Sequence, residues 1–103
     1  MNSPIHILGA GSIGLLLAAR LAAVAEIHLV RRPGDWPAKL NLRLREDGAV
    51  RTVRLAQAAP AGLTAPIRRL IVCTKAYDAL AAVRGLSSLL APDAALLLMQ
   101  NGM

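Results

Sequence analysis

The order of apolar and polar positions divides the chain into short extended runs separated by two helical ones. Ile5-His6-Ile7-Leu8 is a β-branched-rich run stopped by Gly9, and Ser12 to Val24 reads as a helix rich in Leu and Ala. Ile27-His28-Leu29-Val30 supplies a second strand, which Arg31-Arg32-Pro33-Gly34-Asp35 breaks with turn chemistry. Leu40 to Arg45 alternates apolar with polar, Asp47-Gly48 signals a tight turn, and Val50, Val53 and Leu55 lie in a second extended run. This is a half-exposed hairpin, and the pattern leaves open whether it joins the main sheet. Pro60 to Pro66 reads as a loop, and Leu70 to Thr74 as a strand buried on both faces of a parallel sheet. Ala76, Leu80, Val83, Leu86 and Leu90 then recur at helical spacing, with Asp78 favouring the helix start and Pro92 marking its exit. Ala95 to Met99 is the last strand, and Gln100-Asn101-Gly102 the turn after it.

Strands alternating with helices predict an α/β fold, a Rossmann-like parallel sheet with flanking helices and an inserted β-hairpin. The first helix carries Leu15, Leu16, Leu17 and Leu21 around most of its circumference, so cover is expected on both sides. The chain stops just after a strand and turn with no closing helix. Both features fit a truncated N-terminal part of a longer protein, with residues 1–103 as one domain.

Composition narrows the partners. At 103 residues and 55% hydrophobic content, with mean hydropathy +0.49, the chain is one globular domain with a core. Trp36 and Tyr77 are the only Trp or Tyr and there is no Phe, so a base-stacking nucleic-acid surface is not expected. Twelve Lys and Arg against six Asp and Glu give +6, which favours an anionic partner. Arg43, Arg45, Arg51 and Arg54 make the hairpin basic and read as a solvated face. Cys73 has no disulfide partner, and with only His6 and His28 there is no zinc spacing, so no metal is expected and the compartment reads as reducing and cytoplasmic. Cys73 itself reads as an inert buried thiol, and the two histidines as strand residues on opposite sides of the glycine turn with no paired carboxylate. Ala23-Val24-Ala25 imitates a signal-peptidase site, but three glycines and Arg20 interrupt the region before it. The uncharged run from Ile7 to Ala19 falls short of the ~20 residues a bilayer demands, so no membrane span is expected.

Gly9-Ala10-Gly11-Ser12-Ile13-Gly14 is a G-x-G-x-x-G that follows a strand and opens a helix, the context in which it binds a dinucleotide. Gly9 allows the tight turn, Gly11 lets the backbone approach a pyrophosphate, and Gly14 lets helix and strand pack closely. The end of the second strand holds Arg31-Arg32 where an acidic residue would bind the ribose of NAD, so NADP is favoured. The other readings are a glycine turn that binds nothing and a solvated basic turn. Lys75 and Asn101 fall beyond the carboxyl ends of later strands, in the same crevice. Lys75 suits cofactor phosphate, ribose or a substrate carboxylate, and Asn101 a carbonyl or hydroxyl. Their alternatives are a surface lysine and an ordinary turn. Tyr77 and Asp78 either brace this side of the crevice or start the helix.

Ile7 to Gly14, His28 to Arg32, Val72-Cys73-Thr74-Lys75-Ala76-Tyr77-Asp78 and Gln100-Asn101-Gly102-Met103, in that order, resemble the N-terminal domain of ketopantoate reductase (2-dehydropantoate 2-reductase). The resemblance runs along the whole chain. It implies NADPH-dependent reduction of 2-dehydropantoate to pantoate in pantothenate and coenzyme A biosynthesis, by an oxidoreductase whose partner is a 2-oxo acid. By the family pattern Gly9, Ala10, Gly11, Ser12, Ile13 and Gly14 hold the pyrophosphate, Arg32 the 2′-phosphate with Arg31 assisting, Lys75 the cofactor side, and Asn101 the cofactor or substrate. The family continues into a helical C-terminal domain that supplies the catalytic lysine and a substrate-binding glutamate, neither present here. The resemblance therefore implies no catalytic residue in this chain, no turnover by it alone, and leaves a homodimer of the longer protein open. The alternatives are the NADP-binding domain of a related 2-oxo acid or alcohol dehydrogenase, or a non-catalytic NADP-binding module.

Overall fold

The computed structural model describes residues 3–9, 11–64, 66–74 and 76–99, with the side chains of residues 76–78 left aside. Its elements run β1 (Ile5–Leu8), α1 (Ser12–Leu21), β2 (Ile27–Val30), β3 (Lys39–Glu46), β4 (Ala49–Ala58), a 3-10 turn (Pro60–Gly62), β5 (Ile67–Val72), α2 (Ala76–Arg84) and β6 (Leu90–Leu98). They form one six-stranded sheet in the order β3-β4-β2-β1-β5-β6, parallel throughout except for the β3–β4 hairpin. The chain fills one side of β1 first and then returns to place β5 on the other. A crevice opens at such a reversal, outside the carboxyl ends of the strands.

The hairpin closes on Asp47 (φ 51°) and Gly48 (φ 78°), both left-handed, as a two-residue turn requires if its twist is to match the strands. Its second strand joins the main sheet, with His28, Leu29 and Val30 of β2 opposite Ala56, Gln57 and Ala58 of β4.

Alternation along the parallel strands sorts the core into two layers. Ile7, Ile27, Leu29, Val53, Leu55 and Ile71 face α1, which meets them with Ala18 and Ala19. Val30, Leu70 and Val72 face the other way, against Ala79 of α2 and Leu86 beyond it. Each fully buried Leu or Ile contributes about 2 kcal/mol by leaving water.

Three expectations from the sequence are corrected. Helix α1 ends at Leu21 instead of Val24, because tight turns close on Leu21 and Arg20 and leave Val24 exposed. That helix packs on the sheet through small buried residues, and its apolar far side, with Ile13 and Leu16, is exposed in this chain, which leaves the expectation of a second cover standing. Strand β5 runs Ile67–Val72, starting three residues early, because its two arginines find partners: Arg69 donates to the Ser3 carbonyl and Arg68 pairs with Asp93 at 3.6 Å. Pro92 lies inside β6 and marks no helix exit. The β5–β6 register shifts there, between Ile67↔Leu90 and Arg69↔Ala95, so the ladder asks no N–H of the proline. Helix α2 ends at Arg84, and the turns after Gly85 still carry Leu86 into the core, which explains the helical spacing seen that far.

Candidate functional site

A cleft of about 750 Å³ opens at the carboxyl ends of β1, β2 and β5, lined by Gly9, Gly11, Arg31, Arg32, Trp36 and Thr74 among others. Its far wall is α2 and the turn after it, where Ala81, Ala82 and Gly85 leave room because they are small. Gly9 has φ +96°, and a Cβ there would stand 2.8 Å from the Thr74 nitrogen, so the β1–α1 turn can be this tight only with glycine. Gly14 is buried behind the turn, and a Cβ on it would lie 2.2 Å from the Gly9 carbonyl oxygen. A Cβ on Gly11, by contrast, would meet no protein atom within 4 Å. The one glycine of the three whose missing side chain leaves open space thus lines the cleft.

Gly11 is also the N-cap of α1; no side chain caps the helix and its first turn has no acidic residue. The positive end of the helix is left for an anion. Thr74, also in the lining, has a buried hydroxyl with no hydrogen-bond partner among the described residues.

Opposite the helix end, the chain leaves β2 through Arg31 and Arg32. Arg31 Nε donates to Gln57 Oε1 at 2.9 Å, and its guanidinium lies 4.5 Å from the centre of the Trp36 ring. Trp36 Nε1 donates to the Arg32 carbonyl at 2.8 Å. The Arg32 side chain is exposed at the cleft.

Of the residues singled out by sequence, Gly9, Gly11 and Arg32 come together in one lining. Ser12 and Ile13 are exposed at the start of α1, outside that lining. Ala10, Lys75 and Asn101 lie outside the described residues. Sequence reasoning missed Trp36, Gln57 and Thr74 as parts of this region. Thr74 had a signal, a hydroxyl closing an otherwise apolar strand, and Trp36 lies four residues from the Arg32 carbonyl it holds; Gln57 had none, since its partners are distant in sequence.

His6 and His28, strand residues on opposite sides of the glycine turn, stand opposite each other in the β1–β2 register, ring centres 5.2 Å apart, beside a second cavity of about 220 Å³. His28 also has a carboxylate, with Nε2 2.6 Å from Glu26 Oε2. Burial, reinforced by His28 and opposed by Glu26, lowers the His6 pKa to about 4. Below about pH 6.5 the unfolded chain takes up a proton that the folded chain refuses until about pH 4. Stability is therefore lost as pH falls across that interval. Because the imidazole pair borders a cavity, we expect a loss of about 2 kcal/mol, less than the full shift would give. Urea unfolding at pH 7.5 and 4.5 should show a smaller difference in His6→Leu than in the wild type; equal differences would refute the assignment. Cys73 follows β5, half-buried, and burial pushes its thiol up, as an unreactive thiol requires. Among the described residues no group of three metal-ligating side chains gathers, and no helix is long and apolar enough to cross a membrane.

The family model for Ketopantoate reductase PanE/ApbA matches residues 5–103. The chain belongs to the ketopantoate reductase family. Among solved structures, a Ralstonia solanacearum MolK2 protein assigned as a ketopantoate reductase is 31% identical with TM-score 0.77, over 96% of this chain and 32% of that one. The 2-dehydropantoate 2-reductase of Methylococcus capsulatus is 26% identical with TM-score 0.74, over 98% and 34%. A D-mandelate dehydrogenase solved with NADH and anilino(oxo)acetate shares the fold at 20% identity and TM-score 0.78, over 98% and 34%. The chain spans about a third of the length of these ketopantoate reductases and of the dehydrogenase. Ketopantoate reductases are oxidoreductases, and the Rossmann-like sheet expected from the sequence is theirs.

Proposed function

We propose that this chain is the cofactor-binding half of a reductase that uses NADPH to convert 2-dehydropantoate to pantoate, in pantothenate and coenzyme A synthesis. The observation that carries the reading is one cleft lined by Gly9, Gly11 and Arg32, with a helix end that no side chain caps on one side and an exposed guanidinium on the other. Bound there, the nicotinamide cofactor supplies the hydride. The chain's own residues bind and orient it. Gly11 admits the pyrophosphate to the backbone, the first turn of α1 neutralises it, and Arg32 grips the 2′-phosphate through charge-assisted hydrogen bonds. By the family pattern Lys75 and Asn101 complete the crevice, Asn101 reaching the substrate. The proton for the reduced carbonyl comes from the two-thirds of the protein beyond this chain, so the chain alone turns nothing over.

A shared fold with an NADH-carrying dehydrogenase means that the sheet does not choose between nicotinamide cofactors. Local residues do. Titrating the purified chain with NADPH and NADH at fixed salt, followed by nucleotide fluorescence, should show NADPH bound about ten- to a hundredfold more tightly, the effect of one charged hydrogen-bonding pair. Equal affinities would overturn the 2′-phosphate assignment. No binding by a chain that circular dichroism shows to be folded would overturn the dinucleotide reading, and reduction of 2-dehydropantoate by the chain alone would overturn the half-enzyme reading.

A further inference from the structure

Two adjacent arginines face the cleft, and the structure gives them different work. Arg31 is held at three points. Its N–H donates to the Ala58 carbonyl at 2.8 Å, its Nε donates to Gln57 Oε1, and its guanidinium stacks on Trp36. The Arg32 side chain is exposed and makes no hydrogen bond or ion pair with the described residues, while its carbonyl is held by the Trp36 indole.

Gln57 is the hub. It lies near the end of β4, 7% exposed, on the face that Val53 and Leu55 present to the core. A primary amide buried there must pair both its oxygen and its nitrogen. The oxygen accepts from Arg31, Nε2 donates to the Pro37 carbonyl at 2.9 Å, and the main-chain N–H donates to the Ala38 carbonyl at 3.0 Å. The loop from Arg31 to Ala38 is thus fastened to one residue at both ends and closed across its middle by the indole. Pro33 and Pro37 restrict it further.

We infer that Arg31, Trp36 and Gln57 form a brace that fixes the backbone of Arg32, making Trp36 and Gln57 positioning residues for selection of the 2′-phosphorylated cofactor. The inference rests on the cofactor reading above. Its physical basis is entropic: a long exposed side chain loses rotamer freedom when it grips a ligand, and a loop that moved as well would add its own ordering cost. Holding the Arg32 carbonyl removes that second cost before the ligand arrives. It also restricts the swing of Arg31, because its Nε and the face of its guanidinium are engaged elsewhere.

Trp36→Phe keeps an aromatic face for Arg31 and deletes the N–H that holds Arg32. Gln57→Leu keeps the apolar packing and deletes both amide bonds. Each should raise the Kd for NADPH three- to tenfold in the fluorescence titration and leave the Kd for NADH within twofold. The chain has one tryptophan, so a single indole N–H resonance reports the brace with no cofactor present. It should be protected from hydrogen exchange in the wild type and lose at least tenfold of that protection in Gln57→Leu. Arg32→Ala separates the two claims. If Arg32→Ala leaves NADPH affinity unchanged, the cofactor reading fails. If Arg32→Ala weakens NADPH but Trp36→Phe and Gln57→Leu do not, the brace fails. Equal weakening of both nucleotides in Trp36→Phe would make the indole a base contact and overturn the positioning role. So would an unprotected indole in the folded wild type.

Discussion

Gly14→Ala is expected to lower the stability of the chain by about 3 kcal/mol or more, and Gly11→Ala to leave stability unchanged while weakening NADPH about a hundredfold. The two glycines are three residues apart in one fingerprint, yet their surroundings differ completely. A methyl on Gly14 would sit 2.2 Å from the Gly9 carbonyl oxygen, a backbone atom that cannot move without opening the turn whose own glycine sits at φ +96° against Thr74. Overpacking against backbone at such a distance pushes α1 off the sheet, and Ala18 and Ala19 lose contact with Ile7 and Leu29. Gly11 has φ −78°, which alanine adopts freely, and open space where its Cβ would be. There no clash arises, and the lower flexibility of the unfolded chain offsets the weaker N-cap preference of alanine, so stability stays nearly unchanged. The methyl would instead occupy the approach of a pyrophosphate to the helix end. Urea unfolding and NADPH titration of both variants are the check. A Gly11→Ala protein that is stable and still binds with wild-type affinity would mean that nothing approaches that backbone.

What was legible in the sequence was whatever local chemistry decides. The glycine turn between β1 and α1, the left-handed pair Asp47-Gly48 and the β-branched run of β2 each carry their conformation in a few neighbouring residues, and each stands where the sequence put it. Boundaries set by partners elsewhere did not show. The apolar pattern that begins at Leu70 does not reach Arg68 and Arg69, whose partners, Asp93 and the Ser3 carbonyl, come from distant parts of the chain. Pro92 looked like a helix terminator because its tolerance depends on a register shift against β5. The site divides in the same way. Gly9, Gly11 and Arg32 were readable from spacing along the chain, whereas Gln57 answers Arg31 across 26 residues and carries no mark of it. The pairing of His6 with His28 likewise exists only once β1 and β2 are in register.

Arg32→Asp is the complementary test, and it is expected to raise the Kd for NADPH about a hundredfold while that for NADH changes less than threefold. Replacing a cation by an anion removes a charge-assisted hydrogen bond and sets a like charge beside the 2′-phosphate, each worth between one and a few kcal/mol. For NADH no such penalty arises, because a carboxylate at the end of β2 can accept from the ribose hydroxyls. The net charge of +6 attracts either nucleotide at long range, so the variant must be compared at several salt concentrations. Long-range attraction fades with salt for both nucleotides, and more for NADPH, which carries the extra phosphate's charge. A contact at Arg32 adds to that steeper salt dependence in the wild type, and Arg32→Asp should reduce the difference between the nucleotides to its long-range part. If the full difference persists, the phosphate is held by another cation of this chain. Arg31 is restricted while Gln57 and Trp36 hold it, so the double variant Arg32→Asp with Gln57→Leu decides whether releasing Arg31 restores the grip.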